Sequence, residues 1–378
     1  ANSRRLDSVS TPCPDCGLDK VASQTYSSVG FRDRVTDFRG IVTDYDYNTR
    51  GLETQRIDVA NTSCPTAVPN CLLSKRKVQT DWHPNFRVPI ERRTYNAANT
   101  LEQVTRYAYN ARGQQTARCQ VAPTHATAMA YACGSAVNAP TGVRQSTIDY
   151  CDDTDVDFGS VACARVGLVR TVDGPRTDVS DVTTYAYRAA DDAACAAQPT
   201  TCAYRKGDLW KTTNALGQVS EVLAYDGAGR VLSVKDANGV VTDMEYTPRG
   251  WLSRRLVRGT NNASETDDQI TRFEYEPYGA INKVIQPDGS FLRYHYDAAH
   301  RLTAISDAGG DRIDYTLDAA GNRLKEETKD PSGNVKRLLA RQFDLLSRMR
   351  SQINAPFAAM SNLDDPTVKK ARFQYDAN

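Results

Sequence analysis

The chain has 378 residues, with 47 Lys and Arg against 46 Asp and Glu, so its formal net charge at pH 7 is +1. A balanced charge without a basic stripe argues against a nucleic-acid binder, and no apolar run approaches the ~18 residues of a membrane-spanning helix. Tyr is frequent, with 19 residues against nine Phe and three Trp. Tyr suits half-buried β-surfaces, because the ring can pack while the hydroxyl stays hydrated.

Ten cysteines lie in the first 202 residues and follow one another as close pairs, most of them between strand-like runs. We predict local disulfides that staple hairpin loops, although the pattern admits other connectivities. Such bridges persist only in an oxidising compartment. For the first pair a zinc half-site and a redox dithiol remain alternatives. The predicted pairs are Cys13 with Cys16, Cys64 with Cys71, Cys119 with Cys133, Cys151 with Cys163, and Cys195 with Cys202.

A short Tyr-containing motif recurs between residues 40 and 190, with long loops between the copies. The copies are Tyr45-Asp46-Tyr47-Asn48, Tyr95-Asn96, Tyr107-Ala-Tyr109-Asn110 and Tyr185-Ala-Tyr187-Arg188. Most of the cysteine pairs fall in the loops between these copies. We interpret this half as a divergent version of the pattern that follows.

The pattern becomes regular after about residue 205. Tyr225 and Tyr246 are 21 residues apart, and Tyr275, Tyr296 and Leu317 follow one another at the same spacing. The longer step between Tyr246 and Tyr275 contains a polar insert, residues 259–268, which we predict to be the tip of a hairpin. A fixed period of this length is typical of a repeat architecture.

Each regular unit contains two short strands and two turns. Residues 230–235 and 240–246 predict strands, and Asp236-Ala-Asn-Gly239 between them predicts a turn. In the other turn, we expect Asp226 to accept an Asx hydrogen bond and the Gly three residues later to relieve backbone strain. Helical periodicity is nearly absent. Its best candidate is 336–347, where the repeat register predicts a strand.

These units resemble the RHS/YD-repeat family, whose pattern is Tyr-Asp-x-x-Gly-Arg-Leu, a strand, a Gly-bearing turn and a second strand. The resemblance is clearest over residues 205–350. We assign structural roles in this motif to Tyr225, Asp226, Gly229, Arg230, Tyr246, Gly250, Tyr275, Tyr296, Asp297, Arg301, Leu302, Asp318, Gly321, Arg323 and Leu324.

The resemblance implies an all-β fold: tandem antiparallel β-hairpin (YD) repeats forming a spiralling sheet ribbon, part of a hollow shell. Members include bacterial Rhs proteins, shell-forming subunits of insecticidal toxin complexes and animal teneurins, and the bacterial shells enclose a C-terminal toxin. The strand 290–296 has polar and apolar residues on both faces, as a sheet with water on both sides should. The family's closing segment with its self-cleavage site is lacking, since Asp330-Pro331-Ser-Gly333 falls in an ordinary turn position.

The function implied is a non-catalytic structural fragment of an exported bacterial shell, secreted or at the cell surface, that encapsulates or delivers a C-terminal toxin or effector outside this chain. Its partners would be its own flanking repeats and an enclosed polypeptide cargo, with no nucleic acid and no membrane span. The alternative is a cell-surface adhesion or glycan-binding module, with a glycan or receptor as partner.

No catalytic, cofactor-binding or metal-binding residue is predicted, because no HExxH, GxSxG or P-loop motif is present. Of the four histidines, His295 and His300 are close in sequence; we interpret them as surface or packing residues, with a metal pair as the alternative. We interpret three carboxylate pairs as solvated loop charges, with calcium binding as the alternative; they are Asp152-Asp153, Asp191-Asp192 and Asp267-Asp268.

We divide the chain into divergent repeats with cysteine-bearing loops, residues 1–205, and regular repeats, residues 206–378. Both parts are expected to belong to one continuous repeat architecture. The chain begins without Met and stops inside what reads as a new repeat. We therefore expect a fragment truncated at both ends.

Overall fold

The computed structural model describes residues 7–11, 20–37, 41–58, 76–135, 138–157, 163–260, 264–344, 347–356 and 370–372. This part of the chain contains 26 β-strands and three short helical segments, so the predicted all-β class is confirmed. Within the described ranges, no helix combines the length and the apolar character needed to cross a membrane. The predicted pairs Cys13–Cys16 and Cys64–Cys71 lie outside the described residues.

The chain forms two compact units. The first comprises Ala1–Ala189, Thr212–Gln218 and Asp376–Asn378, and the second comprises Ala190–Lys211 and Val219–Tyr375. The strand β13, Leu209–Thr213, contributes residues to both.

In the first unit, each strand pairs antiparallel with the strands before and after it in sequence. Two short helices lie in connections, α1 at Ala126–Ala130 and α2 at Asp153–Asp157. The strands are β1 Ser8–Thr11, β2 Lys20–Tyr26, β3 Arg32–Thr36, β4 Val42–Tyr47, β5 Glu53–Asp58, β6 Arg76–Trp82, β7 Pro89–Tyr95, β8 Leu101–Tyr109, β9 Gln115–Val121, β10 Val143–Tyr150, β11 Val169–Asp173 and β12 Thr183–Tyr187.

The second unit has the same sequential antiparallel pairing from β14 to β26. A 3₁₀-helix, Ala193–Ala196, precedes its strands. These are β14 Val219–Tyr225, β15 Val231–Lys235, β16 Val241–Tyr246, β17 Leu252–Val257, β18 Gln269–Tyr275, β19 Ile281–Ile285, β20 Phe291–Tyr296, β21 Leu302–Asp307, β22 Arg312–Leu317, β23 Arg323–Lys329, β24 Val335–Phe343, β25 Met349–Pro356 and β26 Lys370–Arg372.

The local sequence predictions hold for these elements. The insert 259–268 lies between β17 and β18, as expected for a hairpin tip, and the residues with the best helical pattern lie mainly in strand β24. Many turns introduce a bulge at the residue that precedes them; Tyr246, for example, pairs with Leu252 after a register shift. A Gly with positive φ at the turn produces such a bulge, because one strand has one more residue than its partner.

Little of the second unit is fully buried. Among the residues described between 225 and 324, two apolar side chains, those of Leu256 and Ala304, are buried. Ala304 lies in β21 directly between His295 of β20 and Asp314 of β22. Larger polar side chains in adjacent strands therefore shield this alanine within its own sheet. The described residues of this region therefore contain two separate buried side chains and no packed apolar core.

The described residues of the first unit include a small apolar cluster. Val104, Cys119, Val121 and Ala128 are buried together where the connection between β9 and β10 folds back over the sheet. The Arg106 guanidinium fixes this connection by donating hydrogen bonds to the carbonyls of Met129 and Tyr131. The cover is local to strands β8–β10. In the other strands of the unit most described residues are half exposed or exposed, and Val78 in β6 is an exception with 2% exposure.

Three predicted cysteine pairs are disulfides: Cys119–Cys133, Cys151–Cys163 and Cys195–Cys202. The first joins β9 to the covering connection, and the other two close loops that follow β10 and β12. Each bridge therefore restrains an irregular connection and leaves the strand ladder unchanged.

Candidate functional site: the turns of the tyrosine edge

Because consecutive strands are antiparallel, alternate turns fall on the same edge of the sheet. We call the edge that carries the Tyr-Asp turns of the second unit the tyrosine edge; its turns are residues 226–230, 247–251, 276–280, 297–301, 318–322 and 344–348. The turns 236–240, 286–290, 307–311 and 330–334 form the opposite edge.

The Tyr-Asp turns share one hydrogen-bond scheme. The N–H of Asp226 donates to the carbonyl of Arg230, and the N–H of Gly229 donates to the carbonyl of Asp226. The carboxylate Oδ1 of Asp226 accepts the N–H groups of Ala228 and Arg230. Asp297 repeats these contacts with Ala299 and Arg301. The predicted Asx turn is confirmed, and Gly229 has the expected positive φ of 78°.

The residue four positions after the turn aspartate completes the carboxylate's hydrogen bonding. Arg230 Nε donates to Oδ2 of Asp226 at 2.6 Å, and these donors lower the pKa of Asp226, with the backbone N–H of Arg230 as the largest cause. At the turn 318–322, the side-chain amide of Asn322 replaces the guanidinium and donates to Asp318. The turn carboxylate therefore has a side-chain donor in both repeats, Arg230 in one and Asn322 in the other.

The motif tyrosines tie together strand ends that the backbone ladder does not reach. The ladder between β15 and β16 ends where Ser233 lies opposite Asp243, and the Tyr246 hydroxyl then donates to the carbonyl of Val231. In the same way Tyr225, Tyr275 and Tyr296 donate to the first residue of the preceding strand, and so do Tyr109, Tyr150 and Tyr187 in the first unit.

Burial affects the pKa of several of these hydroxyls. It raises the pKa of Tyr275 and that of Tyr296, because the phenolate would lose hydration. Leu317 occupies the equivalent position in the next repeat and offers no hydroxyl. The tie is therefore absent from that repeat.

A second contact joins successive turns of the tyrosine edge. The side chain after the turn glycine extends over the glycine of the next turn, so we call it the covering side chain. A Cβ atom built on Gly279 would lie 2.8 Å from Trp251 Cζ2, and the Trp251 ring packs 5.2 Å from that of Tyr275. Arg230 covers Gly250 in the same manner and lies over the Tyr246 ring.

The same relation recurs elsewhere on this edge and in the first unit. Arg301 donates to the carbonyl of Asp318 and lies beside Gly321. In the first unit Phe31 covers Gly51 and Gln114 covers Gly167, and each follows a turn glycine. Phe86 makes the same contact with Gly113, although it follows Asn85 and not a glycine. The glycine therefore serves two purposes: it permits positive φ, and it leaves space for its neighbour.

In one pair of successive turns the covering residue is small and the residue at the glycine position is large. His300 stands where a turn glycine is expected and has a φ of 61°, whereas the residue at the covering position of the preceding turn is Ala280. The His300 ring instead stacks on Tyr278, with centroids 3.7 Å apart. A bulky residue at the glycine position thus coincides with a small covering residue.

The opposite edge lacks this regular contact. No described heavy atom comes within 4 Å of a Cβ built on Gly289 or Gly333. Gly310 is an exception, since Pro331 of the next turn lies 3.2 Å away. On the tyrosine edge, Gly250, Gly279 and Gly321 are covered by a residue of the preceding turn, whereas Gly229, in the first of these turns, has no described heavy atom within 4 Å of its Cβ position.

The remaining motif residues lie at strand starts. Leu302 opens β21 opposite Tyr296, and Leu324 is half buried in β23. Arg323 does not correspond to Arg230, because it lies five residues after its turn aspartate, Asp318, and not four. It is the first residue of β23 and packs over the Tyr315 ring. Asn322 holds the position that corresponds to Arg230, because this turn has the same length as the others.

The histidines have packing and hydrogen-bonding contacts. Nδ1 of His83 accepts the N–H groups of Asn85 and Phe86, and Nε2 of His295 lies 3.1 Å from the Ser306 hydroxyl. In the described ranges no three His, Cys, Asp or Glu side chains are grouped to hold a metal ion.

The predicted loop carboxylates make specific contacts. Asp152 and Asp192 each accept the N–H of a residue in the helical turn that follows. Asp268 corrects the interpretation as a solvated charge: its side chain is 0% exposed and pairs with Arg258. It also accepts the N–H of Gly259. Sequence position alone suggested exposure, because the insert is polar throughout.

The family model of the RHS repeat matches residues 225–263 and 296–335. These segments are RHS repeats. They contain the turns of Asp226 and Asp297, whose hydrogen bonds are equivalent, so the resemblance seen in the sequence is confirmed. No curated protein matches the chain significantly.

Two solved structures share the fold. The crystal structure of TcdB2-TccC3 without its hypervariable C-terminal region is 14% identical with a TM-score of 0.56, and that of TcdB2-TccC3-Cdc42 is 15% identical with a TM-score of 0.55. Each comparison covers 88% of this chain and 16% of the other. The chain thus spans about one sixth of the structures it resembles.

Gly279→Ala should destabilise its hairpin more than Gly289→Ala does. Both glycines have positive φ, so either substitution should lower the free energy of unfolding by about 1–2 kcal/mol. Gly279→Ala should lower it by about 1–3 kcal/mol more, because the new methyl group displaces Trp251. Amide hydrogen exchange of β18–β20 measures both losses. Equal losses would contradict the covering role of Trp251.

Ala280→Trp should destabilise the turn that contains His300 by about 1–3 kcal/mol, because the indole and the imidazole compete for one space. Adding His300→Gly should restore most of that loss, since the pair then corresponds to Trp251 and Gly279. A double-mutant cycle gives the coupling. Val240→Trp, at the corresponding position of the opposite edge, is the control and should not couple to His300.

Tyr296→Phe should cost about 0.5–1.5 kcal/mol, because the carbonyl of Ile281 loses its 2.8 Å hydrogen bond. Tyr294→Phe in the same strand is the matched control, since no described group accepts a hydrogen bond from that hydroxyl. Exchange of the β19 and β20 amides provides the measurement. A similar effect of both substitutions would rule out the proposed tie.

The pKa of the Asp330 carboxylate should be about 2, below its ordinary 3.8. The largest cause is the hydrogen bond from Lys336, and the hydrogen bond from Asn334 is the second. This contribution to stability is complete above the ordinary pKa and is lost as the pH falls through about 2. Lys336→Met should raise the pKa, whereas Lys336→Arg should largely preserve it. Carboxyl ¹³C shifts followed by NMR report the midpoint; an unchanged midpoint in Lys336→Met would be inconsistent with this pairing.

Proposed function

We propose that the chain is a non-catalytic wall segment of an exported RHS-repeat shell that encloses a polypeptide. The observation that carries the proposal is the regular stacking of turns along one edge, as in Trp251 over Gly279. Each repeat is built to receive the next one and contacts its neighbours in sequence, which suits a structure that extends by repetition.

The hydration of the sheet supports a wall. Strand β20 presents Arg293 and His295 on one face and Leu292 and Tyr294 on the other, and these side chains are exposed or half exposed. A sheet in this state tolerates water on both sides, as the wall of a hollow body requires. The TcdB2-TccC3 structures share the fold over most of this chain, which supports the same assignment.

The disulfides support export. The two cysteines of Cys151–Cys163 are buried, and such bridges persist in oxidising compartments. They fasten loops outside the strand ladder, where a secreted protein benefits from restraint against unfolding and proteolysis. We assign the chain to a secreted or cell-surface protein of bacterial origin.

Electron cryomicroscopy of the full-length polypeptide that contains this chain tests the wall directly. We expect a closed wall around an internal volume with additional density, and the polypeptide after the repeats to resist added protease. An open sheet without an internal volume would refute enclosure.

The turn variants test whether protection from protease depends on the turns of the tyrosine edge. Ala280→Trp should loosen the wall and expose the enclosed polypeptide, whereas Ala280→Trp with His300→Gly should restore protection. The Val240→Trp variant should remain protected. Equal protection of all three proteins would contradict a wall that depends on the tyrosine edge.

Mass spectrometry under non-reducing conditions tests export. Protein taken from its natural compartment should contain the three disulfides of the structure, together with the predicted pairs Cys13–Cys16 and Cys64–Cys71. Ten free thiols would overturn the exported assignment while leaving the wall proposal intact.

The alternative, a surface adhesion or glycan-binding module, makes a different prediction for the same micrographs. Such a module would present its faces to the medium and enclose no second polypeptide. An open groove on the first unit, lined by residues such as Trp82 and Arg92, favours a binding role. Such a groove is compatible with an enclosing wall and with a surface module.

A further inference from the structure

An open groove of about 400 Å³ lies on one face of the first unit, over strands β4–β8. Its lining combines aromatic, charged and hydroxyl side chains, among them Glu53, Thr80, Trp82, Arg92 and Tyr107. This volume is within the range of small-molecule sites, about 300–1,000 Å³.

Two aromatic side chains bound the groove. Trp82 in β6 and Tyr107 in β8 lie on either side of Pro89 in β7. Since neighbouring strands are about 4.8 Å apart, the flanking strands are separated by about 10 Å. Carbon atoms in contact are about 3.5–4 Å apart, so one ring can enter between the two side chains. The indole is positioned in advance, because Nε1 of Trp82 donates to the carbonyl of Glu53 at 2.7 Å.

The groove also contains polar groups without an ion-pair partner among the described residues. Arg92 is exposed, and neither it nor Glu53 forms an ion pair in this part of the chain, although the nearby Arg93 pairs with Asp81. Thr80 lies directly opposite Arg92 in the adjacent strand. The site thus offers a guanidinium donor, a carboxylate acceptor and a hydroxyl close to an aromatic surface.

We propose that this groove binds a neutral hexose ring of an oligosaccharide. The ring's C–H face packs against Trp82 and Tyr107, while its hydroxyls accept hydrogen bonds from Arg92 and donate to Glu53. Charge-assisted hydrogen bonds of this kind are the stronger ones, and the aromatic faces supply the apolar contact.

Other ligand classes fit the groove less well. An apolar ligand would dehydrate two charged groups without compensation, and the Glu53 carboxylate repels an anion. An extended peptide adds to a free strand edge, but the backbones of β5–β8 are already paired on both sides. The proposed binding is independent of whether the chain encloses a cargo.

Saturation-transfer NMR on the full chain tests the proposal with D-glucose, D-galactose, N-acetyl-D-glucosamine, cellobiose and lactose. We expect transfer to the ring protons of at least one sugar and a loss of affinity of about tenfold or more in Arg92→Ala. Glu53→Gln should also weaken binding. Arg144→Ala is the matched control, since this exposed strand arginine lies outside the groove; it should change affinity less than about twofold.

Amide spectra of the variants should show that the sheet is intact, so that loss of binding is separated from loss of fold. The proposal is overturned if none of the sugars shows transfer at about 10 mM, or if Arg92→Ala binds as well as the unaltered chain. Equal weakening by Arg144→Ala would also overturn it, because the effect would then be one of general charge.

Discussion

The steric relation between a covering side chain and the next turn glycine is the constraint on which the repeats depend. Trp251 occupies the space that a side chain on Gly279 would need, and the same glycine must adopt positive φ to close its turn. Backbone conformation and contact between repeats are therefore set at one position. A substitution there affects both, whereas at Gly289 it affects the backbone alone.

Around this contact, the other interactions are local and are repeated from turn to turn. Asp226 satisfies its own turn and holds Arg230, and Arg230 then reaches the next turn and the ring of Tyr246. The Tyr246 hydroxyl in turn closes the strand end beside it. Since few apolar side chains are buried, stability arises from these neighbour contacts and the backbone ladder, as is expected of repeat architectures.

Much of the fold follows from the sequence because period, turn chemistry and strand pattern agree. The 21-residue spacing, the Asx turn at Asp226 and the local cysteine pairs were all predictable from residues close together in the chain. The covering contacts and the buried Asp268 were not, since they depend on which side chains meet across strands. A signal for covering does exist: bulky residues such as Trp251 follow the turn glycine, and Ala280 precedes the repeat that contains His300. The groove beside Arg92 was missed because its residues come from five strands and form no motif.

The size matching between consecutive turns also limits how such a gene can recombine. Loss of the repeat that carries Trp251 would place Arg230 next to Gly279, a combination of the kind already present. Loss of the following repeat would instead bring Trp251 against His300, where two large rings compete for one site. Deletions of similar length should therefore differ in whether the product folds, and tandem repeats that look interchangeable in sequence carry a fixed order.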